Sequence, residues 1–376
     1  MLQRAIAHYR FPLFEKLALE SNCDWTFHCD DHDQRISTGL PSPDLHRLLV
    51  RRIRNRQLAG PVWYQTGLRL AGFDAFVLDL GWTLLSNPRY LLEARLRGVA
   101  SIGWSKGIPQ NADRPEGSVK RIYQEFILSL CDSIVLYGKS SLDYFLKLGF
   151  PENRLFIAQN TIDTVRIAQE LPAAIEHKQR LLQTLPFKGR FVFGYMGGLI
   201  ERKRVECIVT AFNEVRTRGV DAALVIAGAG PAQSTVEAAV AASPFRPDIF
   251  LAGRVPVREE GGWFQLFDVY LSFAQGGLGI LEAMANGKVV VSTPERFPET
   301  ELLVDGETAF LSQDFSLPSF VACMARAVAQ ARQLESIGQR AKRRVLSEAT
   351  LENMVLSIDR AVACALERRI GKRNGK

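Results

Sequence analysis

Two glycine-bearing segments carry the residues best suited to chemistry in this sequence. The first runs Asp268-Val269-Tyr270-Leu271-Ser272-Phe273-Ala274-Gln275-Gly276-Gly277-Leu278-Gly279-Ile280-Leu281-Glu282 and continues to Gly287. An apolar strand ends in Gly276 and Gly277, and a helix is predicted to start near Leu278. Glycines at such a junction let the backbone come close to a ligand, and the free N–H groups of the first helical turn face it. Together with the helix dipole they make an anion site suited to a phosphate. Glu282 falls about one turn into the helix, where a carboxylate can accept hydrogen bonds from vicinal sugar hydroxyls. A tight turn followed by a solvated glutamate is the plainer alternative, because isolated Gly-rich loops are weak signals. The second segment is Gly197-Gly198-Leu199-Ile200-Glu201-Arg202-Lys203-Arg204. Its three consecutive cations can neutralise a diphosphate. Cations at a helix start oppose the dipole, a mild cost that favours a functional role over an ordinary basic helix start.

These segments need elements to hold them. From about residue 190 onward, short apolar runs alternate with helical stretches: 191–196, 223–227, 249–252, 269–271 and 289–291, each bounded by Gly or Asp. Val205, Ile208, Val209 and Phe212 share one helical face between the first two. Uniformly apolar strands separated by helices predict a parallel sheet buried on both faces, hence a doubly wound domain. The first half repeats this grammar more faintly, with strands expected at 73–78, 100–103 and 133–137 and helices around 12–20, 88–97 and 140–148. Residues 164–188 turn polar and helical, which suits an interdomain connection. The expected fold class is therefore α/β, with two doubly wound Rossmann-like domains facing a central cleft between the carboxyl ends of their strands. The domains expected are 1–165 and 190–350, with the C-terminal helix 351–369 as a candidate addition to the first.

The chain has 376 residues, too many for one core, and two domains are the natural division. Hydrophobic residues make up 47% and charged residues 23%, which sets aside disordered and fibrous classes. No apolar run approaches the ~20 residues that cross a membrane, and Met1-Leu2-Gln3-Arg4 does not open a signal peptide, so a cytoplasmic protein is expected. A net charge of +7 suggests an anionic partner. Six cysteines without a CxxC pair or matching histidines argue against disulfide or zinc frameworks. His28 and His32, flanking Asp30, Asp31 and Asp33, read as a polar loop rather than a metal site, and no metal or cofactor is expected.

The positive charge concentrates between His46 and Arg56, where Arg47, Arg51, Arg52, Arg54 and Arg56 fall among eleven residues. Read as a helix, these cations oppose an apolar stripe of Leu45, Leu48, Leu49 and Ile53, a pattern that fits either an anionic membrane surface or a solvated helix packed on its domain. A nucleic-acid partner rests on charge alone and lacks a recognised module, so none is expected. A Rossmann dehydrogenase is disfavoured, because no GxGxxG with a following acidic residue stands at the first strand.

In order and spacing, these pieces resemble the GT-B glycosyltransferases of the family 4 type. The matches are strongest over 190–315: Leu224-Val225-Ile226-Ala227-Gly228-Ala229-Gly230-Pro231, Gly253 after its strand, Glu282-Ala283-Met284-Ala285-Asn286-Gly287, Pro298-Glu299 and Val304-Asp305-Gly306-Glu307. Asn160-Thr161-Ile162-Asp163, His8-Tyr9-Arg10 and Trp104-Ser105-Lys106-Gly107 are similar to segments of the first domain, the last two to a subgroup acting on surface polysaccharides. The resemblance implies a retaining, metal-independent transferase that moves a sugar from a nucleotide-diphosphate sugar to a lipid-linked or saccharide acceptor in cell-envelope glycan synthesis. It implies a first domain for the acceptor and a second for the donor. Lys203 would bind the donor diphosphate and act with Lys106 as the catalytic cations. Gly197, Gly198, Arg202, Gly276, Gly277 and Leu278 would surround the phosphates or the sugar, Glu282 would hold the ribose, and Arg254 would lie near the base. His8 and Arg10 would face the acceptor. A lipid-linked acceptor tips the arginines of 47–56 towards an anionic membrane surface and the protein towards a peripheral position at its inner face. The chain departs from the family where Ala274 stands eight positions before Glu282 in place of a second glutamate, where Gly198 replaces an arginine, and where Lys106 replaces a histidine. These departures motivate the alternative of a nucleotide-sugar-binding relative without transfer activity.

Overall fold

The structure, a computed structural model, describes residues 1–4, 6–30, 48–60, 62–81, 83–105, 118–187, 189–295 and 297–374. The chain divides into two units, Met1–Asn160 with Leu351–Lys376, and Thr161–Thr350.

In the first unit, strands β1 (Phe27–Cys29), β2 (Val50–Arg52), β3 (Arg54–Ala59), β4 (Val62–Thr66), β5 (Ala75–Asp79), β6 (Ala100–Ser105), β7 (Ser133–Leu136) and β8 (Leu155–Ile157) alternate with helices α1 (Phe11–Glu20), α2 (Asn87–Arg97), α3 (Ser118–Leu130) and α4 (Lys139–Lys147). Strands β5 to β8 form a parallel sheet in sequence order. Leu2 bridges His28 of β1 and Leu78 of β5, and so ties the parallel β1–β2 pair to that sheet. The terminal helix Leu351–Asn374 completes this unit. It buries Met354, Ile358, Ala361, Val362 and Ala365 in the same core as Phe14, Val77, Ile102 and Val135. Each fully buried large apolar side chain there contributes roughly 1.5–3 kcal/mol. Ser133 Oγ donates to Ala361 O at 2.8 Å and Arg369 Nε to the buried Asp132 carboxylate at 2.6 Å, which fixes the helix's register.

Two expectations are corrected here. The basic segment is not a helix. Arg51 and Arg52 lie on β2, which pairs with β1, and Arg54 and Arg56 lie on β3, which pairs antiparallel with β4. Cross-strand pairing overrides the helical spacing: Leu48 and Ile53 enter the core while these four arginines point to solvent. Arg47 lies outside the described residues. His28 is likewise no loop residue but a buried side chain of β1, edge-on to Phe73 at 5.8 Å between ring centroids; His32 lies outside the described residues.

In the second unit, helices α5 (Thr164–Thr184), α6 (Val205–Thr217), α7 (Gln233–Ala241), α8 (Val257–Leu266), α9 (Leu278–Ala285), α10 (Leu317–Ala329) and α11 (Leu334–Glu348) surround one parallel sheet. Its strands are β9 (Phe191–Met196), β10 (Ala222–Ala227), β11 (Ile249–Gly253), β12 (Val269–Ser272), β13 (Val289–Ser292) and β14 (Ala309–Leu311). The spatial order is β11-β10-β9-β12-β13-β14, the 3-2-1-4-5-6 order of a doubly wound dinucleotide-type sheet. Alternate residues feed the cores on its two faces, Phe193, Leu224 and Val291 on one and Val192, Val225 and Val290 on the other. Gly194 interrupts β9 because a side chain there would sit 2.1 Å from the ring of Phe267. The stretch read as a connection is one helix, α5. It is capped by Asp163, whose carboxylate accepts from Arg166 N at 2.9 Å, and it lies so close to α8 that a Cβ on Gly261 would come within 2.9 Å of Ala174 Cβ.

Candidate functional site

The order of strands reverses between β9 and β12, and in open α/β sheets ligands bind outside the carboxyl ends of the strands at such a switch point. Both glycine segments emerge there. After β9, the chain turns at Gly197, whose φ of 154° no side chain readily adopts, and Tyr195 Oη donates back to Gly198 O at 3.1 Å. A short 3-10 turn, Glu201–Lys203, follows. Arg204 then takes a left-handed conformation, φ 48° and ψ 47°, the one non-glycine residue at positive φ among those described. Such a conformation on a long side chain is uncommon and costs free energy. It ends the 3-10 turn, starts α6, and leaves Lys203 folded back over the end of β9. The Lys203 ammonium lies so close that a Cβ on Gly197 would approach Nζ to 2.9 Å, and it stands 5.8 Å from the Tyr195 ring centroid. Gly197 is thus the space Lys203 occupies.

After β12, the loop reaches α9 through Gly277, at φ 123°. The first turn of α9 abuts the end of β9: a Cβ on Gly279 would lie 2.4 Å from Tyr270 Oη and 3.0 Å from Met196 O. Gln275 N–H points at Arg202 O across a long 3.5 Å contact. The cationic turn and the Gly-rich loop are therefore neighbours, with Lys203 beside the amide-rich start of a helix.

Carboxylates surround this cation. Burial lowers the proton affinity of Lys203 and Arg202 adds to that, while Glu282, Glu295 and Glu299 work against it. Glu295 comes from the loop after β13, where its Oε2 accepts the Gly276 N–H at 2.8 Å. Burial pushes its pKa up to about 7, with Glu299 adding and the Gly276 N–H and Lys203 opposing. Glu282 is half-buried on α9. Burial and Glu260 of α8 raise its pKa, against Arg166 and Lys203, and burial raises that of Glu260 as well. Arg166, Glu170, Glu260, Glu282 and Asn286 line one pocket with the apolar Ile167 and Phe264, a setting in which a charged face is offered beside an apolar floor.

The structure thus brings together Gly197, Gly198, Arg202, Lys203, Gly276, Gly277, Leu278 and Glu282. Arg254 is exposed in the loop after β11. In the first unit, His8 lies in the 3-10 turn His8–Arg10. Arg10 Nη2 donates to Tyr137 Oη and Asn160 Oδ1, both at 2.8 Å, and the guanidinium stacks over the rings of Tyr137 and Trp104. It therefore braces the carboxyl ends of β6 to β8. Lys106 lies outside the described residues. Sequence reasoning missed Glu295, Glu260 and Arg166, none of which belongs to a local motif, and it named Glu299 only within the Pro298-Glu299 match. Among the described residues no group of three or more His, Cys, Asp or Glu is placed to hold a metal ion.

Comparison with known proteins bears on the fold and on the second unit. No curated protein matches the chain in sequence. In structure the chain is similar to HepE (Alr3699) of Anabaena in complex with UDP, at 12% identity over 96% of this chain and 98% of that one, with a TM-score of 0.74. It is similar to a glycosyltransferase of Rickettsia africae at 11% identity over 96% and 97% of the two chains, with a TM-score of 0.67. The same score relates it to sucrose-phosphate synthase of Thermosynechococcus elongatus, at 16% identity over 96% and 92%. These likenesses show the fold, that of the GT-B glycosyltransferases. Residues 190–330, which hold the cationic turn, the Gly-rich loop and the carboxylates around them, match the family described as Glycosyl transferases group 1, so that the second unit carries a glycosyltransferase domain.

Proposed function

We propose that this protein is a retaining glycosyltransferase of the family 4 type. It moves a sugar from a nucleoside-diphosphate sugar to a saccharide or lipid-linked acceptor in cell-envelope glycan synthesis. The observation that carries the reading is the meeting of Lys203 with the start of α9 at the switch point of the second unit's sheet. In the transfer, the bond between the sugar's anomeric carbon and the distal phosphate breaks. The acceptor oxygen takes that carbon and gives up its proton to the departing phosphate, and a nucleoside diphosphate leaves. Negative charge grows on the leaving phosphate, and a preorganised ammonium with helix N-terminal amides stabilises it. No metal takes part in this scheme. Glu282, with Arg166 and Glu260 nearby, holds the ribose, and Arg254 lies towards the base. The first unit takes the acceptor, with Arg10 and His8 on that side, and Lys106 acts with Lys203 as a catalytic cation.

A place at the inner face of a membrane is supported by the surface of the first unit. Arg51, Arg52, Arg54 and Arg56 are exposed, and so are Leu92 and, at 88%, Leu96 on α2, among Arg89, Arg95 and Arg97. HepE's complex with UDP-glucose, similar to this chain at a TM-score of 0.69, makes UDP the first nucleotide to try.

Thermal unfolding with UDP, GDP and their sugars tests the reading. A ligand at a hundredfold excess over its Kd adds about 2.7 kcal/mol to stability, several degrees for a unit of this size. The reading fails if no nucleoside diphosphate or its sugar stabilises the protein. Stabilisation without hydrolysis or transfer selects the binding protein suggested by Ala274 and Gly198.

A further inference from the structure

Resting on the donor reading above, we infer that Glu295 positions and selects the sugar of the donor. The Gly-rich loop between Ser272 and Leu278 contains no carboxylate of its own, and Ala274 stands in it where the family resembled has a glutamate. The fold brings one in from the neighbouring strand. β12 and β13 run parallel with Ser272 opposite Ser292, so the chain leaves both strands at the same level. Four residues on from one stands Gly276, and three on from the other stands Glu295, whose Oε2 accepts the Gly276 N–H at 2.8 Å.

This carboxylate lies near the cation proposed for the diphosphate: it holds the Gly276 N–H, and the adjoining Gln275 N–H points at the carbonyl of Arg202, next to Lys203, across 3.5 Å. A sugar joined to a phosphate held at Lys203 therefore comes alongside Glu295. A carboxylate offers roughly four lone-pair directions, and among the described residues one hydrogen bond is made, to Gly276. The rest suit a pair of neighbouring sugar hydroxyls. Burial and the neighbouring Glu299 make this carboxylate, with one neutral hydrogen-bond donor, a costly loop tie that Lys203 only partly offsets. It is economical where hydroxyl donors arrive with the substrate. Such a site rejects sugars that lack a hydroxyl at the right carbon, because their binding leaves the carboxylate desolvated and unsatisfied.

The test uses the full-length protein, wild type against Glu295→Ala and Glu295→Gln. Calorimetric Kd values are measured for UDP against UDP-glucose and for GDP against GDP-mannose, and kcat/KM for whichever sugar nucleotide turns over. For the base that binds, both variants are expected to hold the bare diphosphate at least as tightly as wild type, because each removes a negative charge from beside Lys203. Their affinity for the sugar nucleotide relative to that diphosphate, and kcat/KM where turnover exists, should fall at least about tenfold. Discrimination between the sugar nucleotide and its deoxy analogue should fall with them. Variants that keep the wild-type ratio and discrimination overturn the inference. So do variants that lose the bare diphosphate to the same degree, which would make Glu295 a strut of the Gly276 loop. A wild type that binds neither diphosphate removes the donor reading itself, a result distinct from unchanged variants of a protein that does bind.

Discussion

Replacing Lys203 with methionine keeps most of the stem that packs against Tyr195 and Gly197 and removes only the charge. Two opposing quantities set the size of the effect. A charge-assisted hydrogen bond to a phosphate oxygen is worth about 1.5–3 kcal/mol net, and at 4 Å with an effective dielectric near 20 the bare attraction is about 4 kcal/mol. Against it stands the desolvation that already lowers the lysine's proton affinity. The lower figure is therefore the better guide, and kcat/KM should fall about 10- to 150-fold. A second consequence follows from the neighbours. Without the ammonium, Glu282 and Glu295 each lose a cation that holds their pKa down, so that of Glu295, already about 7, moves higher. Binding of nucleoside diphosphate to Lys203→Met should thus weaken more steeply than in wild type as pH rises from 6 to 9 and Glu282 and Glu295 ionise. The assay is calorimetric binding over that range, together with steady-state transfer or hydrolysis of the sugar nucleotide. Rates within about threefold of wild type and a parallel pH profile would remove Lys203 from phosphate binding.

His28 provides a pH test of the fold. Its burial lowers the pKa from 6.5 to about 4, so the unfolded chain takes up a proton below 6.5 that the folded one refuses until about 4. Stability is full above pH 6.5, is lost as pH falls through that window, and is down by about 2 kcal/mol at pH 5. Urea midpoints of His28→Gln should show a flatter decline between pH 7 and 5, and an unchanged slope counts against the assignment. Liposome sedimentation should show stronger binding to anionic than to neutral vesicles, reduced about tenfold in Leu92→Ser/Leu96→Ser; equal binding to both vesicle types discards the membrane face. Turnover of a pure sample should survive EDTA, and loss restored by Mg²⁺ would overturn the metal-independent scheme.

The second unit was far more legible than the first, for a physical reason. Strands buried on both faces must be uniformly apolar, so β9, β10, β12 and β13 announce themselves, and the glycines at their carboxyl ends mark where the backbone turns. Lys203 and Glu282 could be picked out because each sits within a few residues of such a glycine. Glu295 could not, because its place depends on which strand lies beside β12 and in what register. Nothing local in Arg204 signals a left-handed conformation; the packing of the turn imposes it. In the first unit, arginines and leucines spaced at three and four residues fit a helix, yet residues 50–59 found strand partners. β1 and the single bridging residue Leu2 are too short for any periodicity to show.

The first unit is assembled from two stretches of chain separated by the whole of the second. During synthesis the ribosome delivers Thr161–Thr350 as one uninterrupted stretch, which has all of its own sheet and can condense as soon as it emerges. The earlier-made Met1–Asn160 must wait, because its core lacks Met354, Ile358 and Ala365 until the helix Leu351–Asn374 follows the second unit. Order in sequence is thus reversed in maturation: of the two units, the one begun earlier is completed later, and in the interval its uncovered apolar sheet face is open to misassembly.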